Sequence, residues 1–286
     1  MSDTITSINA SKKIFHSLWS NKRGLIGCVT VLAVMVIAIT APLISPFDPL
    51  KQDLSLRLKP PGCKGSSGTH WLGTDHLGRD VASRIIYGAR ISLIISLSAV
   101  IIASILGITI GLITGYFRGK IDTIFMRLAD IQLAFPFILL IIAVVAVLGA
   151  NIRNIIVVFG ITGWVVYARI VRSEVLSLRE REFITAAKAL GGSNFRIIFL
   201  HLFPNVGASC IVIATLEIAR MILMEAALSF LGLGIQPPTP SWGGLLADGR
   251  DYLFTSWWFA TFPGMAIMLT ILGVNMMGDW LRDFLI

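Results

Sequence analysis

Gly24-Leu-Ile-Gly-Cys-Val-Thr-Val-Leu-Ala-Val-Met-Val-Ile-Ala-Ile-Thr-Ala-Pro-Leu-Ile44 is a run of 21 residues without a charge. An α-helix needs about 20 apolar residues to cross a bilayer core. Lys12, Lys13, Lys22 and Arg23 precede the run, as in a secretory signal. The run outlasts the roughly 7–15 residues of a signal core, and Pro42 stands where a small-residue cleavage site belongs. It reads as a retained anchor, residues 24–44, after a segment 1–23.

Five more runs follow. Residues 91–117 and 131–149 are continuous, and only 15 residues separate Arg153 from Arg169. Both arginines can snorkel and lengthen that fourth span. The fifth, about 204–231, carries Glu217, Arg220 and Glu225, and the sixth covers about 257–278. The fold class is an all-α integral membrane protein with six transmembrane helices and both termini on one side. Residues 45–90 form a long segment outside the membrane, and residues 91–286 a core of five spans.

Composition agrees. Of 286 residues, 55% are hydrophobic and 14% charged, against about 25% charged in a soluble domain. The net charge of +8 is scattered among apolar runs, so it orients the chain in lipid and does not mark a nucleic-acid partner. With the N-terminus inside, cytoplasmic segments hold 14 Lys and Arg and the outside holds 9. The short Arg118/Lys120 loop and the Arg-rich loop both favour that orientation. Trp257 and Trp258 fall at the outer edge of span six, where an aromatic belt belongs. Cys28, Cys63 and Cys210 are too dispersed for a disulfide framework.

The loop 173–205 is polar and lies between spans four and five. It reads as two helices around a break. The first is amphipathic, with Val175, Leu178, Glu182 and Thr185 on faces apart from Leu176, Phe183, Ala187 and Leu190. Gly191-Gly192 ends it in a left-handed turn. Ser193 caps the second helix, and Pro204 closes it. Such a device is either an interfacial helix lying on headgroups or a docking helix for a cytosolic partner.

Thr185-Ala186-Ala187, three residues, Gly191, then His201-Leu-Phe-Pro204 resembles the Glu-Ala-Ala loop of bacterial ATP-binding-cassette permeases, with Thr185, His201 and Phe203 departing from the general pattern. His70-Trp-Leu-Gly-Thr-Asp-His-Leu-Gly-Arg-Asp80 resembles the outer motif of the dipeptide/oligopeptide/nickel permease family. So do Tyr87-Gly-Ala-Arg-Ile-Ser-Leu93, Leu228-Ser-Phe-Leu-Gly-Leu-Gly234, Pro240-Ser-Trp-Gly243 and Gly278-Asp-Trp-Leu-Arg-Asp283. The likeness is to the second permease subunit of such systems. It implies a type I importer permease fold with a cytoplasmic coupling helix, in the bacterial cytoplasmic membrane, with both termini cytoplasmic. The implied partners are a homologous second permease, two ATP-binding subunits and an extracytoplasmic solute-binding protein. It implies ATPase coupling through Glu182, Thr185, Ala186, Ala187, Gly191 and Pro204. Peptides are the implied substrate, with nickel or a metal–opine chelate as the alternative.

The residues add their own constraints. The only Gly-Lys, Gly119-Lys120, lacks the rest of a phosphate-binding loop, so no cofactor is expected in this chain and ATP belongs to the partners. No metalloprotease, serine-hydrolase or facing-aspartate motif is present, so the reading is not an enzyme. A self-sufficient secondary carrier would need coupling-ion sites and usually internal repeats, and none is found. Carboxylates inside a span cost about 2.5–3.5 kcal/mol, so Glu217, Arg220 and Glu225 are candidates for the translocation path. A structural pairing of Glu217 with Arg220, three residues on, is the other reading. Arg127 and Asp130 have the same spacing and read as an intrahelical pair. Pro136 should kink span three. Gly107, Gly111 and Gly115 should admit a neighbouring helix. His70 and His76, with Cys63 nearby, have weak ligand spacing, and no metal is expected there. Segments 46–84 and 232–253 read as docking surfaces for the binding protein.

Overall fold

The computed structural model describes residues 17–66 and 68–285. Residues 1–16, with Lys12 and Lys13 of the expected segment 1–23, lie outside the described residues. Helix α1 (Lys22–Ile44) starts at Asn21, whose side chain accepts from the Gly24 amide at 3.1 Å. A loop segment follows, with a short antiparallel hairpin of β1 (Cys63–Gly65) and β2 (Gly68–His70) in which Cys63 faces His70. Then come α2 (Val81–Phe117), α3 (Gly119–Leu133), α4 (Phe137–Leu148), α5 (Ile152–Leu178) and α6 (Glu182–Ala189). The chain ends with α7 (Asn194–Phe230), the short α8 (Trp242–Gly249) and α9 (Trp258–Leu285).

Five of these helices, α1, α2, α5, α7 and α9, are long and apolar enough to cross a membrane, and the bent pair α3–α4 makes a sixth span. Their exposed side chains include Ile26, Leu32, Ile39, Ile101, Ile105, Ile161, Leu223 and Leu272, as a lipid-facing surface requires. The core lies where α2, α5 and α7 meet, around Ile95, Ala99, Phe159, Tyr167 and Met221.

Glycine decides the closest helix approach. A Cβ at Gly107 would stand 2.5 Å from Tyr167 Cβ. At Gly111 it would lie 2.7 Å from Val171 Cβ, and at Gly115 2.8 Å from Val175 Cβ. The expected four-residue ladder on α2 therefore seats α5 directly on its backbone. Gly27 and Gly273 do the same between α1 and α9.

Several boundaries depart from expectation. Asp80 caps α2 by accepting from the Ser83 amide at 2.7 Å, so residues 81–90 belong to the helix and not to the loop. Span four runs unbroken to Leu178, which places residues 173–178 in the span and adds a break at residues 179–181 to the expected one at Gly191-Gly192. The amphipathic helix read across 175–190 is therefore two helices. Span three is not one kinked helix but two, bent by 89° around residues 134–136. Pro136 has no amide to continue α3, and its carbonyl accepts from Leu139 and Leu140 to start α4 instead.

Pro204 does not close a helix. Residues Ile197–Leu202 form a π turn in which the Phe203 amide reaches back to Ile198, five residues away. That wider register passes the proline without a break, and Asn205 Nδ2 donates to the His201 carbonyl at 2.6 Å. Asp130 pairs with Arg169 of α5 and not with Arg127. Trp257 is exposed as expected, but Trp258 is buried, with its indole N–H donating to the Thr74 carbonyl at 3.3 Å.

Candidate functional site

The loop between α5 and α7 lies on the face that carries both described chain ends. Helix α6 buries Ile184 against Leu112, Tyr116, Val175, Leu178 and Leu202. Glu182, Thr185, Ala186 and Gly191 are exposed, Ala187 is half-buried, and Leu190 is 89% exposed. Gly191 ends the helix at φ +78°, with its amide on the Lys188 carbonyl and the Gly192 amide on the Ala187 carbonyl, both at 3.0 Å. This is the paired-bond helix stop that needs a left-handed residue.

The loop is pinned to the end of α2. Arg179 Nη1 donates to the Tyr116 carbonyl at 2.7 Å, and the Tyr116 hydroxyl donates to Asn194 Oδ1 at 2.7 Å. Lys188 Nζ sits 5.4 Å from the Tyr116 ring centre. Tyr116 thus joins α2, α6 and the start of α7. Its part was not visible in the sequence, because no local pattern marks a tyrosine contacted from residues 179, 188 and 194.

A second group of polar side chains lies halfway along the spans. Glu217 is buried, and its Oε1 accepts from Arg220 Nη1 at 3.2 Å, the expected i, i+3 pair. The Arg220 side chain is 34% exposed, and its guanidinium lies over the Phe137 ring at 4.3 Å. Tyr167, fully buried, has no hydrogen-bond partner for its hydroxyl among the described residues. Gln132 bridges α3 to α5, donating to the Thr162 carbonyl at 2.5 Å and accepting from the Trp164 indole at 3.0 Å. Nearer the α6 end, Asp122 accepts from both Nε and Nη2 of Arg172.

Glu225 has a different setting from Glu217. It is 1% exposed, accepting from Ser92 Oγ of α2 at 3.0 Å and Ser229 Oγ at 2.9 Å, with Ser241 as a third partner. Ser241 also caps α8, and the Trp242 amide donates to Ser92 Oγ at 3.4 Å. The carboxyl therefore ties α2, α7 and α8 from inside the chain and faces no open surface.

The opposite face carries the long loop. Asp75, fully buried, accepts from the Leu77 and Arg79 amides at 2.8 and 2.9 Å. It also takes Arg79 Nε at 2.6 Å and Arg84 Nη1 at 2.5 Å. His70 Nδ1 stands 2.9 Å from Asp80 Oδ1, and its ring stacks on Phe47 at 4.4 Å. His76 stacks against Tyr252 at 6.0 Å, and burial pushes its pKa below the ordinary histidine value. Burial raises the Cys63 thiol, and hydrogen bonds from Ser55 lower Asp53. The motif around residues 70–80 thus folds the loop onto α2. A cavity of about 380 Å³ opens beside it, bordered by Arg84, Gln236, Asp248 and Tyr252.

Five apolar helices and a bent sixth pair, with buried Glu217 paired to Arg220 on one of them, define a multi-pass membrane protein. The chain belongs to the family described as the binding-protein-dependent transport system inner membrane component, which matches residues 107–286. Residues 11–61 match the N-terminal transmembrane domain of oligopeptide transport permease C. The chain is 46% identical to a dipeptide transport system permease of Alkalihalophilus pseudofirmus, over 99% of this chain and 91% of that protein. It is 42% identical to a di/tripeptide permease of Pseudomonas aeruginosa, over 96% and 91%. It is 41% identical to a glutathione transport permease of Pectobacterium atrosepticum, over 89% and 83%. It is a permease subunit of an ATP-binding-cassette importer, in a family of transport proteins and not of enzymes.

Proposed function

We propose that this subunit forms half of a translocation pathway for small peptides and couples ATP hydrolysis by partner subunits to alternating access. Permeases named for dipeptides and for di- and tripeptides, alike over nearly the whole chain, support the substrate. The partners are a homologous permease, two ATP-binding subunits and an extracytoplasmic solute-binding protein. The face with α6 is cytoplasmic, as are both termini, and the face with residues 45–80 meets the binding protein. The chain carries no cofactor of its own.

The observation that carries the coupling role is the mounting of α6. Glu182, Thr185, Ala186 and Ala187 sit on a short helix, stopped by Gly191, whose one side is seated on α2, α5 and α7, while the rest is open. Arg179, Tyr116 and Asn194 make that seat stiff. Pro204 lies in the unbroken run from this seat into span five. A push on α6 from a docked ATPase then moves three spans together, a rigid-body step between two packings. Glu217 and Arg220 face the path, whereas Glu225 holds helices together.

The test is purification of the subunit from detergent-solubilised native membranes, with every co-purifying chain identified by mass spectrometry. Two ATPases, a second permease and a peptide-loaded binding protein are the expected set. This chain alone, from membranes that keep other such complexes intact, refutes the reading.

A further inference from the structure

Two features of the mid-depth group are unexplained by packing within the chain. Arg220 stands ten residues before the end of α7 at Phe230, about 15 Å along the helix axis. A guanidinium at that depth, with a third of its side chain open, is incompatible with lipid and must meet water or protein. Its contacts within the chain are modest. One nitrogen, Nη1, reaches Glu217 at 3.2 and 3.4 Å, and the face of the guanidinium rests on Phe137. The remaining donors of the fork have no partner among the described residues.

The second feature is the neighbour beneath it. Phe137 is the first residue of α4, directly after the break at residues 134–136, which is itself exposed. Irregular backbone at membrane depth is tolerated only where protein covers it or water lines it. Arg220 and the break therefore open to the same non-lipid space. Phe137 holds the guanidinium plane, so the free edge of the fork is presented and not folded back.

We infer that Arg220, steadied by Phe137 and Glu217, is a station on the path that takes the terminal carboxylate of a passing peptide. A planar guanidinium with free donors matches a carboxylate in two-bond geometry. Glu217, which keeps Arg220 oriented, opposes any second anion and so makes the hold weak enough for release. This rests on the proposed peptide pathway.

The test uses the complete transporter in proteoliposomes with its binding protein. Uptake of one dipeptide as the free acid and as the C-terminal amide is measured for wild type, Arg220→Gln and Arg220→Lys. The expected result is that Arg220→Gln lowers the acid-to-amide uptake ratio about 10-fold or more, one charge-assisted pair lost. Arg220→Lys, which keeps the charge without the fork, falls between and carries the test if the glutamine variant does not assemble. An unchanged ratio overturns the inference whatever the absolute rates. If it comes with loss of the second permease on purification, the occupant is a partner side chain. Wild type that carries neither form overturns the peptide pathway itself.

Discussion

Replacing Gly111 with alanine puts one methyl group into the close contact between α2 and α5. The new Cβ would stand 2.7 Å from Val171 Cβ and 2.8 Å from the Ala168 carbonyl oxygen, where atoms need roughly 3.5–4.0 Å. Both neighbours belong to the α5 backbone or its first side-chain atom, so no rotamer change relieves the clash, and α2 and α5 must part. Overpacking of this kind costs about 1–3 kcal/mol. Alanine in a helix regains about 0.8–1.0 kcal/mol over glycine, leaving a net loss of about 0–2 kcal/mol. Gly207 of α7 supplies the control, since a Cβ there meets nothing within 4 Å. Gly207→Ala should therefore stabilise by about 1 kcal/mol. The difference between the two variants isolates the packing, and in thermal unfolding of the purified subunit it amounts to about 2–12 °C. Equal midpoints, or a higher one for Gly111→Ala, would refute the close-approach account of this core.

Gly191→Ile forces a β-branched residue to φ +78°, at a cost of at least about 1–2 kcal/mol. It should abolish ATPase stimulation by loaded binding protein while membrane insertion is unchanged; normal stimulation would remove Gly191 from the coupling device. Glu225→Leu leaves Ser92 and Ser229 without their acceptor, at about 1–3 kcal/mol each, whereas Glu225→Gln keeps one acceptor oxygen. The melting temperature should fall more for leucine than for glutamine, and the reverse order would contradict the serine-tie reading. His76 has a folded pKa below its unfolded value of 6.5. The unfolded state thus binds the extra proton first, and stability drops as the pH falls through about 6.5 towards the folded value. In melts at stepwise lower pH, His76→Phe should flatten that decline; an identical decline in both proteins would assign it to another group.

The spans and the glycine ladder were legible because both rest on local pattern. An apolar run of fixed length names a crossing, and a four-residue glycine repeat names a close face whatever comes to meet it. The i, i+3 pair of Glu217 and Arg220 is local in the same sense. What stayed hidden depended on long-range partners. Arg127 offered Asp130 a nearby cation, but Arg169, 39 residues away, takes it. Asp122 with Arg172 and Gln132 with Trp164 follow the same rule. Pro204 misled for another reason: proline normally ends a helix, and the sequence carries no sign of the π turn that lets the chain pass. Glu225 looked like Glu217 in the sequence because two buried carboxyls, one paired with an arginine and one with serines, differ only in what surrounds them. Ser92, 133 residues away, decides between the two.

The break in span three ties these observations together. A helix that stops halfway leaves carbonyls at the end of α3 and amides at the start of α4 without intrahelical partners, at several kcal/mol each in hydrocarbon. Three polar ties hold α3 to α5 despite that cost: Asp122 to Arg172, Asp130 to Arg169, and Gln132 to Trp164 and the Thr162 carbonyl. Their partners descend along α5 from residue 172 to 162 as those on α3 rise from 122 to 132. The two helices therefore run antiparallel, and the zipper ends directly before the break. Beyond it α4 leaves at 89° and carries Phe137 under Arg220. A bilayer would penalise such a break on its lipid face, and a close-packed core would have filled it. Its survival as an open surface next to the partly exposed guanidinium is the observation on which the proposal of a path-facing side at Phe137 and Arg220 rests.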